Sequence, residues 1–126
     1  MNFQTDVLSD ENNYLFKQEK ILPANEVFVI STKNENNKKY VEWRIRENYY
    51  LYFDSIKIQN KKEPIRYKIL ESSVYETEDE YFGKTKIYKD YLKIVFNDNY
   101  DESDHAIFYQ GCAEQGFCYP IQKYIL

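Results

Sequence analysis

From Leu22 to the C terminus, apolar and polar residues alternate with a period of two, which is the spacing of a strand with one face buried. In VEWRIR, Val41, Trp43 and Ile45 share one face while Glu42, Arg44 and Arg46 share the other. IRYKI sets Ile65, Tyr67 and Ile69 against Arg66 and Lys68, and YLKIVF groups Leu92, Ile94 and Phe96. IKI at 56–58 is a shorter copy, and AIFYQ (106–110) and QKYIL (122–126) supply the last strands. Fourteen Tyr and eight Phe suit half-buried pleated surfaces better than helices. Turns fall between these runs at 33–39, 59–64 and 97–104, and they are marked by Asn rather than Gly. Asn tolerates left-handed backbone and closes Asx turns, so eleven Asn can stand in for scarce glycine.

Strands separated by such turns, with no helical pattern of 10 to 15 residues between them, predict an all-β fold, an antiparallel sandwich. At 126 residues the chain makes one domain, large enough to build a core without covalent staples. Residues 1–21 are polar and aperiodic and read as an N-terminal arm, with a short strand or turn at Tyr14–Phe16; the folded domain is 22–126. The acidic stretch ESSVYETEDEYFGK (71–84) reads as an exposed loop rather than a helix.

Several functions are excluded early. A net charge of −4 gives no electrostatic footprint for nucleic acid. VFVI (27–30) and YYLYF (49–53) are too short to span a membrane, and the N terminus lacks the basic and apolar regions of a secretory signal. His105 is the sole histidine, too few for an ordinary zinc site, and it reads as a surface or strand residue. Ser103 beside it has no oxyanion-hole signature.

Both cysteines and two of the three glycines lie in YQGCAEQGFCYP, residues 109–120. If strands 106–111 and 118–125 pair as a hairpin, Cys112 and Cys118 face each other near its mouth and a bridge between them is plausible. A ring of about seven residues would contribute only roughly 2.4 kcal/mol as a staple, less than a bridge between distant strands. The spacing alone leaves an inert staple and a redox pair both open.

Read with its neighbours, that loop resembles the active-site loop of the N-terminal periplasmic domain of the thiol–disulfide interchange protein DsbD. EDEYFGKTKIYKDYL (78–92) is similar to that family's cap loop and following strand, WRIRENYYLY (43–52) to a strand pair, and LPANEVFVI (22–30) to the opening strand. The resemblance implies an immunoglobulin-like sandwich with a redox-active pair on adjacent strands and no cofactor. Cys118 would be the exposed sulfur that forms mixed disulfides, and Cys112 the sheltered resolving thiol. Asp79, Glu80, Tyr81, Phe82 and Gly83 would cap them, with Tyr50 and Tyr52 lining the site. Electrons would come from a thioredoxin-like C-terminal domain of the same protein and pass to periplasmic thioredoxin-fold proteins, a disulfide isomerase and a cytochrome c maturation reductase. The chain would then be one soluble domain of a membrane-embedded protein. The other function class is a non-catalytic extracytoplasmic binding sandwich with a structural hairpin disulfide.

Two residues depart from the family pattern: Tyr81 carries a hydroxyl, expected to face water, where Phe is frequent, and Ile121 stands where a second Pro is frequent. An aromatic cap would limit wasteful oxidation of the reduced pair. Glu76, Glu78, Asp79 and Glu80 near a thiol would disfavour the thiolate and make Cys118 a slow nucleophile until a partner docks. Trp43 is expected in the core.

Overall fold

The computed structural model describes residues 21–79, 81–98 and 105–126. The arm with its expected element at Tyr14–Phe16, the cap residue Glu80, and most of the 97–104 turn lie outside the described residues.

The expected alternation sorts the described residues into eleven strands. They are β1 (Phe28–Glu35), β2 (Lys38–Ile45), β3 (Tyr49–Tyr52), β4 (Lys57–Asn60), β5 (Glu63–Ile65), β6 (Lys68–Asp79), β7 (Gly83–Asn97), β8 (His105–Tyr109), β9 (Gly111–Ala113), β10 (Phe117–Cys118) and β11 (Gln122–Ile125). Seven form one antiparallel sheet in the order β1-β2-β7-β3-β9-β10, with β6 on the free side of β7. Four form the second, in the order β11-β8-β4-β5. The fold is an immunoglobulin-like β-sandwich.

Burial follows the sequence pattern where a strand covers the core. Val41, Trp43 and Ile45, then Leu92, Ile94 and Phe96, then Ile56 and Ile58 all turn inward. Trp43 is fully buried and meets the Tyr109 ring of the opposite sheet edge-on at 5.7 Å. A side chain of that size removes enough apolar surface to contribute roughly 2–3 kcal/mol.

Turn chemistry is also local. Asn36 and Asn37 take φ values of 54° and 63° and close the β1–β2 hairpin, as two-residue hairpin turns require. In the 59–64 turn the left-handed seats are Lys61 and Lys62, at 52° and 74°, and not asparagines. Pairing of Ile58 with Ile65 fixes the register so that both are buried, and the turn must then fall on the lysines.

Three expectations are corrected. LPANEVFVI is not all strand: Ala24–Val27 makes a helical turn, α1, before β1 begins at Phe28. IRYKI is not one strand either. Ile65 ends β5 in the small sheet, Lys68 begins β6 in the large one, and Ile69 is 37% exposed, so the alternation runs on across a change of sheet. The stretch 71–84 is neither helix nor loop; its pairing from Val74–Tyr88 to Asp79–Gly83 makes a two-stranded ribbon with a tight tip. Much of that ribbon is solvent-exposed, so it has little buried face to print a period-two pattern.

Two of the changes of sheet lie side by side. Residues from β3 to β4 cross through the 3₁₀ turn Phe53–Ser55, and residues from β8 to β9 cross at Gln110. Ser55 joins the two crossings: the Gln110 N–H donates to Ser55 Oγ at 3.0 Å, and Ser55 Oγ lies 2.8 Å from the Tyr52 carbonyl. The Tyr52 N–H donates to the Gln110 carbonyl at 3.0 Å.

Candidate functional site

On the outer face of the seven-stranded sheet, Tyr50 of β3, Cys112 of β9 and Cys118 of β10 stand in one cross-strand row. Direct opposition brings the two cysteine Cα atoms to 4.0 Å, and the sulfurs are bonded at 2.08 Å. They sit at the tip of the hairpin rather than at its mouth, because the legs β8 and β11 belong to the other sheet. Cys112 is 1% exposed, whereas Cys118 is half-buried. With Tyr52 and Ile87 they form an apolar cluster separate from the main core.

Gly111 makes this row possible. A Cβ there would collide with the Tyr50 carbonyl oxygen and stand 2.5 Å from Phe28 Cζ, so only glycine lets β9 approach β3 over that ring. Beneath the hairpin, Phe28, Phe117 and Tyr119 pack edge-on, and the Tyr119 hydroxyl donates to the Leu22 carbonyl at 2.6 Å. Burial first, then neighbouring Tyr49, pushes the Tyr119 phenol up to about 12.

Asp79 organises the other wall. Its Oδ2 accepts hydrogen bonds from the Tyr50 hydroxyl at 2.5 Å and the Tyr52 hydroxyl at 2.8 Å. Its Oδ1 accepts from the N–H groups of Tyr81 at 2.6 Å and Phe82 at 3.1 Å. Burial pushes the Asp79 carboxyl upward, but these four donors outweigh it and hold the group below its ordinary value. The same contacts act in reverse on the phenols: burial, then the adjacent carboxylate, raises both Tyr50 and Tyr52 well above the usual tyrosine value. Tyr52 also touches the sulfurs, its oxygen 3.1 Å from Cys112 Sγ and 3.6 Å from Cys118 Sγ.

The ribbon tip closes the site. The Phe82 ring meets the Tyr52 ring edge-on at 4.7 Å, yet remains 60% exposed. The Tyr81 hydroxyl does not face only water: it donates to the Gly116 carbonyl at 2.8 Å, inside the disulfide ring. Gly83 begins β7 with φ +72°, the left-handed seat a tight tip requires.

Thus the structure brings together Cys112, Cys118, Tyr50, Tyr52, Asp79, Tyr81 and Phe82, with Gly83 turning the chain back. Glu76 and Glu78 stand opposite Lys86 and Lys84 on the ribbon. Four residues escaped the sequence reading: Ser55 and Gln110 at the crossings, and Lys89 and Glu114 in an ion pair of 2.7 Å beside the cysteine turn. Each depends on a contact between segments far apart in the chain, for which no local pattern exists. Among the described residues no helix is long and apolar enough to cross a membrane.

Comparison with known proteins gives a consistent result. The family described as "Thiol:disulfide interchange protein DsbD, N-terminal" matches residues 18–125. The chain is 32% identical over 112 residues to the thiol:disulfide interchange protein DsbD of Vibrio cholerae, covering 86% of this chain and 18% of that protein. It is 33% identical over 103 residues to that of Escherichia coli, covering 80% and 18%. The chain therefore spans about a fifth of the length of these relatives. Among solved structures it resembles the reduced form of the Neisseria meningitidis DsbD N-terminal domain, with TM-score 0.69 and 26% identity over 91% of this chain and 89% of that one. It also resembles a structure of the complex between the DsbD N-terminal and PilB N-terminal domains from the same organism, with TM-score 0.57 and 25% identity over 84% and 87%.

Proposed function

The chain belongs to the family of DsbD N-terminal domains, and from that premise we propose that it is a thiol–disulfide exchange module working through Cys112 and Cys118. The observation that carries this reading is the asymmetry of the bonded pair, with a half-buried Cys118 beside a fully sheltered Cys112 under an aromatic tip. A purely structural bridge has no use for such a cover.

Electrons enter when a donor thiolate attacks Cys118 Sγ. The S–S bond breaks, Cys112 leaves with the electron pair and takes a proton, and a mixed disulfide remains. A second donor thiolate then cleaves the mixed disulfide, so the domain gains two electrons and two protons. Discharge is the reverse: the Cys118 thiolate attacks a partner disulfide, and Cys112 resolves the intermediate by reforming the bond. The reduced Cys112 thiol can donate its S–H to the Tyr52 oxygen, 3.1 Å away in the bonded state. The ionised Asp79 behind Tyr52 disfavours a thiolate at this site, which keeps the free domain slow until a partner lifts the tip.

The donor in this reading is a thioredoxin-like C-terminal domain of the same protein. The acceptors are periplasmic thioredoxin-fold proteins, a disulfide isomerase and a cytochrome c maturation reductase. The solved complex of a related DsbD N-terminal domain with a PilB N-terminal domain supports docking of a separate protein domain. The module would face the periplasm. Trapping tests the roles: Cys112→Ala should accumulate a mixed disulfide through Cys118 with a thioredoxin-fold partner. Trapping through Cys112 in Cys118→Ala instead would overturn the assignment.

A further inference from the structure

The disulfide ring encloses a five-residue turn, and the fold grips that turn from outside. The Glu114 N–H donates to the Asn48 carbonyl at 2.8 Å, and the Gly116 N–H closes onto Ala113 at 3.0 Å. Lys89 Nζ meets Glu114 Oε2 at 2.7 Å while lying 5.6 Å above the Tyr75 ring. Lys89 stands where β7 leaves its regular pairing, between the Ser72 and Val74 rungs, with Asp90 beside it at φ 72°. This irregularity is where β7 exchanges β2 for β3 as its neighbour. The strand that supports the site thus also reaches the turn between the cysteines.

We propose that the Lys89–Glu114 ion pair is a positioning element for exchange: it holds the cysteine turn so that the reduced thiols stay in bonding register, which makes the pair a stronger reductant. The proposal rests on the exchange role inferred above.

The argument is one of linkage. Both the S–S bond and the ion pair order residues 113–117, so each lowers the ordering cost the other must meet. Two interactions that share an ordering cost favour one another reciprocally. In the reduced domain the ion pair raises the effective concentration of each thiol for the other, just as a short linker does. A higher effective concentration favours the bonded form and lowers the reduction potential. Glu114, through the hydrogen bond it accepts, also raises the Lys89 ammonium above its ordinary value, in keeping with a close contact.

Equilibration of the full chain in glutathione buffers tests this. Two glutathione thiols are oxidised to one disulfide as Cys112–Cys118 takes two electrons and two protons. Lys89→Met and Glu114→Gln should each raise the equilibrium constant for reduction about threefold, as expected for losing a half-exposed ion pair of about 0.7 kcal/mol. Threefold corresponds to about 14 mV less negative for this two-electron couple. The double variant should shift no further than either single one, and Lys89→Arg or the exchanged pair Lys89→Glu with Glu114→Lys should restore the original value. Equal constants in all variants, or single effects that add in the double, overturn the proposal. A merely structural ion pair would lower thermal stability equally in both redox forms and leave the potential unmoved. A parent domain that stays bonded at every glutathione ratio overturns the exchange role instead. The ion-pair comparison is then made with dithiothreitol, so the two failures are told apart.

Discussion

Substituting Asp79 by Ala removes a carboxylate that accepts four hydrogen bonds. Tyr81 and Phe82 are exposed, so their N–H groups regain water and little is lost there. Tyr52 is 5% exposed and its hydroxyl is left with only the disulfide sulfurs, which are weak acceptors, at a cost of about 2 kcal/mol. Tyr50 is half-buried and loses about 1 kcal/mol, the net value of an ordinary hydrogen bond. The sum is about 3 kcal/mol, or a fall in Tm of about 10 °C for a domain of this size. Asp79→Asn keeps one carbonyl acceptor and should cost about half as much. The pH dependence separates charge from shape. The fold holds the Asp79 carboxyl below its ordinary value, so its contribution is complete above the unfolded pKa of about 4 and is lost as pH falls through the folded pKa. Thermal unfolding of the disulfide-bonded domain between pH 7 and pH 3, followed by circular dichroism, should show the parent and Asp79→Asn converging in acid. A gap that stays constant across that range, or an Asp79→Ala domain melting within about 2 °C of the parent, would refute the reasoning.

Gly111→Ala should lower the urea midpoint by the equivalent of about 1–3 kcal/mol with an unchanged m value, because its Cβ meets the Tyr50 carbonyl and the Phe28 ring. Asp90→Gly should raise stability by about 0.5 kcal/mol in the same measurement, since an exposed non-glycine residue now occupies φ 72°. Tyr81→Phe keeps the ring but deletes the bond to the Gly116 carbonyl. Its disulfide should be reduced by dithiothreitol about two- to fivefold faster, and an unchanged rate would show that the hydroxyl does not hold the tip shut.

Legibility in the sequence tracks burial on one face. Val41, Trp43 and Ile45, or Leu92, Ile94 and Phe96, declare their strands because every second residue meets the core. The ribbon 68–97 was opaque near its tip for the opposite reason: Glu76 and Glu78 on one side and Tyr81 and Phe82 at the end all face solvent. IRYKI misled because a continuous alternation carries no mark where the chain changes sheet. Within the site, the cysteines and the aromatic tip could be placed by resemblance, and Tyr50 and Tyr52 with them. The acidic cluster, however, looks uniform in sequence, whereas folding buries Asp79 at 7% exposure and hydrogen-bonds it fully while Glu76 and Glu78 stay exposed. Lys89 and Glu114 could not be paired in advance, because their meeting depends on the irregularity in β7.

The parallel crossings at Phe53–Ser55 and Gln110 bear on any attempt to transplant this chemistry. A graft of residues 105–126 onto another scaffold would carry both sulfurs but leave behind the bracket that aims them, since Gln110 is tethered to Ser55 and Tyr52. The smallest portable unit includes residues 49–60 as well. Its two segments cross between the layers like a pair of laces, and cutting the bond between the cysteines leaves that knot tied.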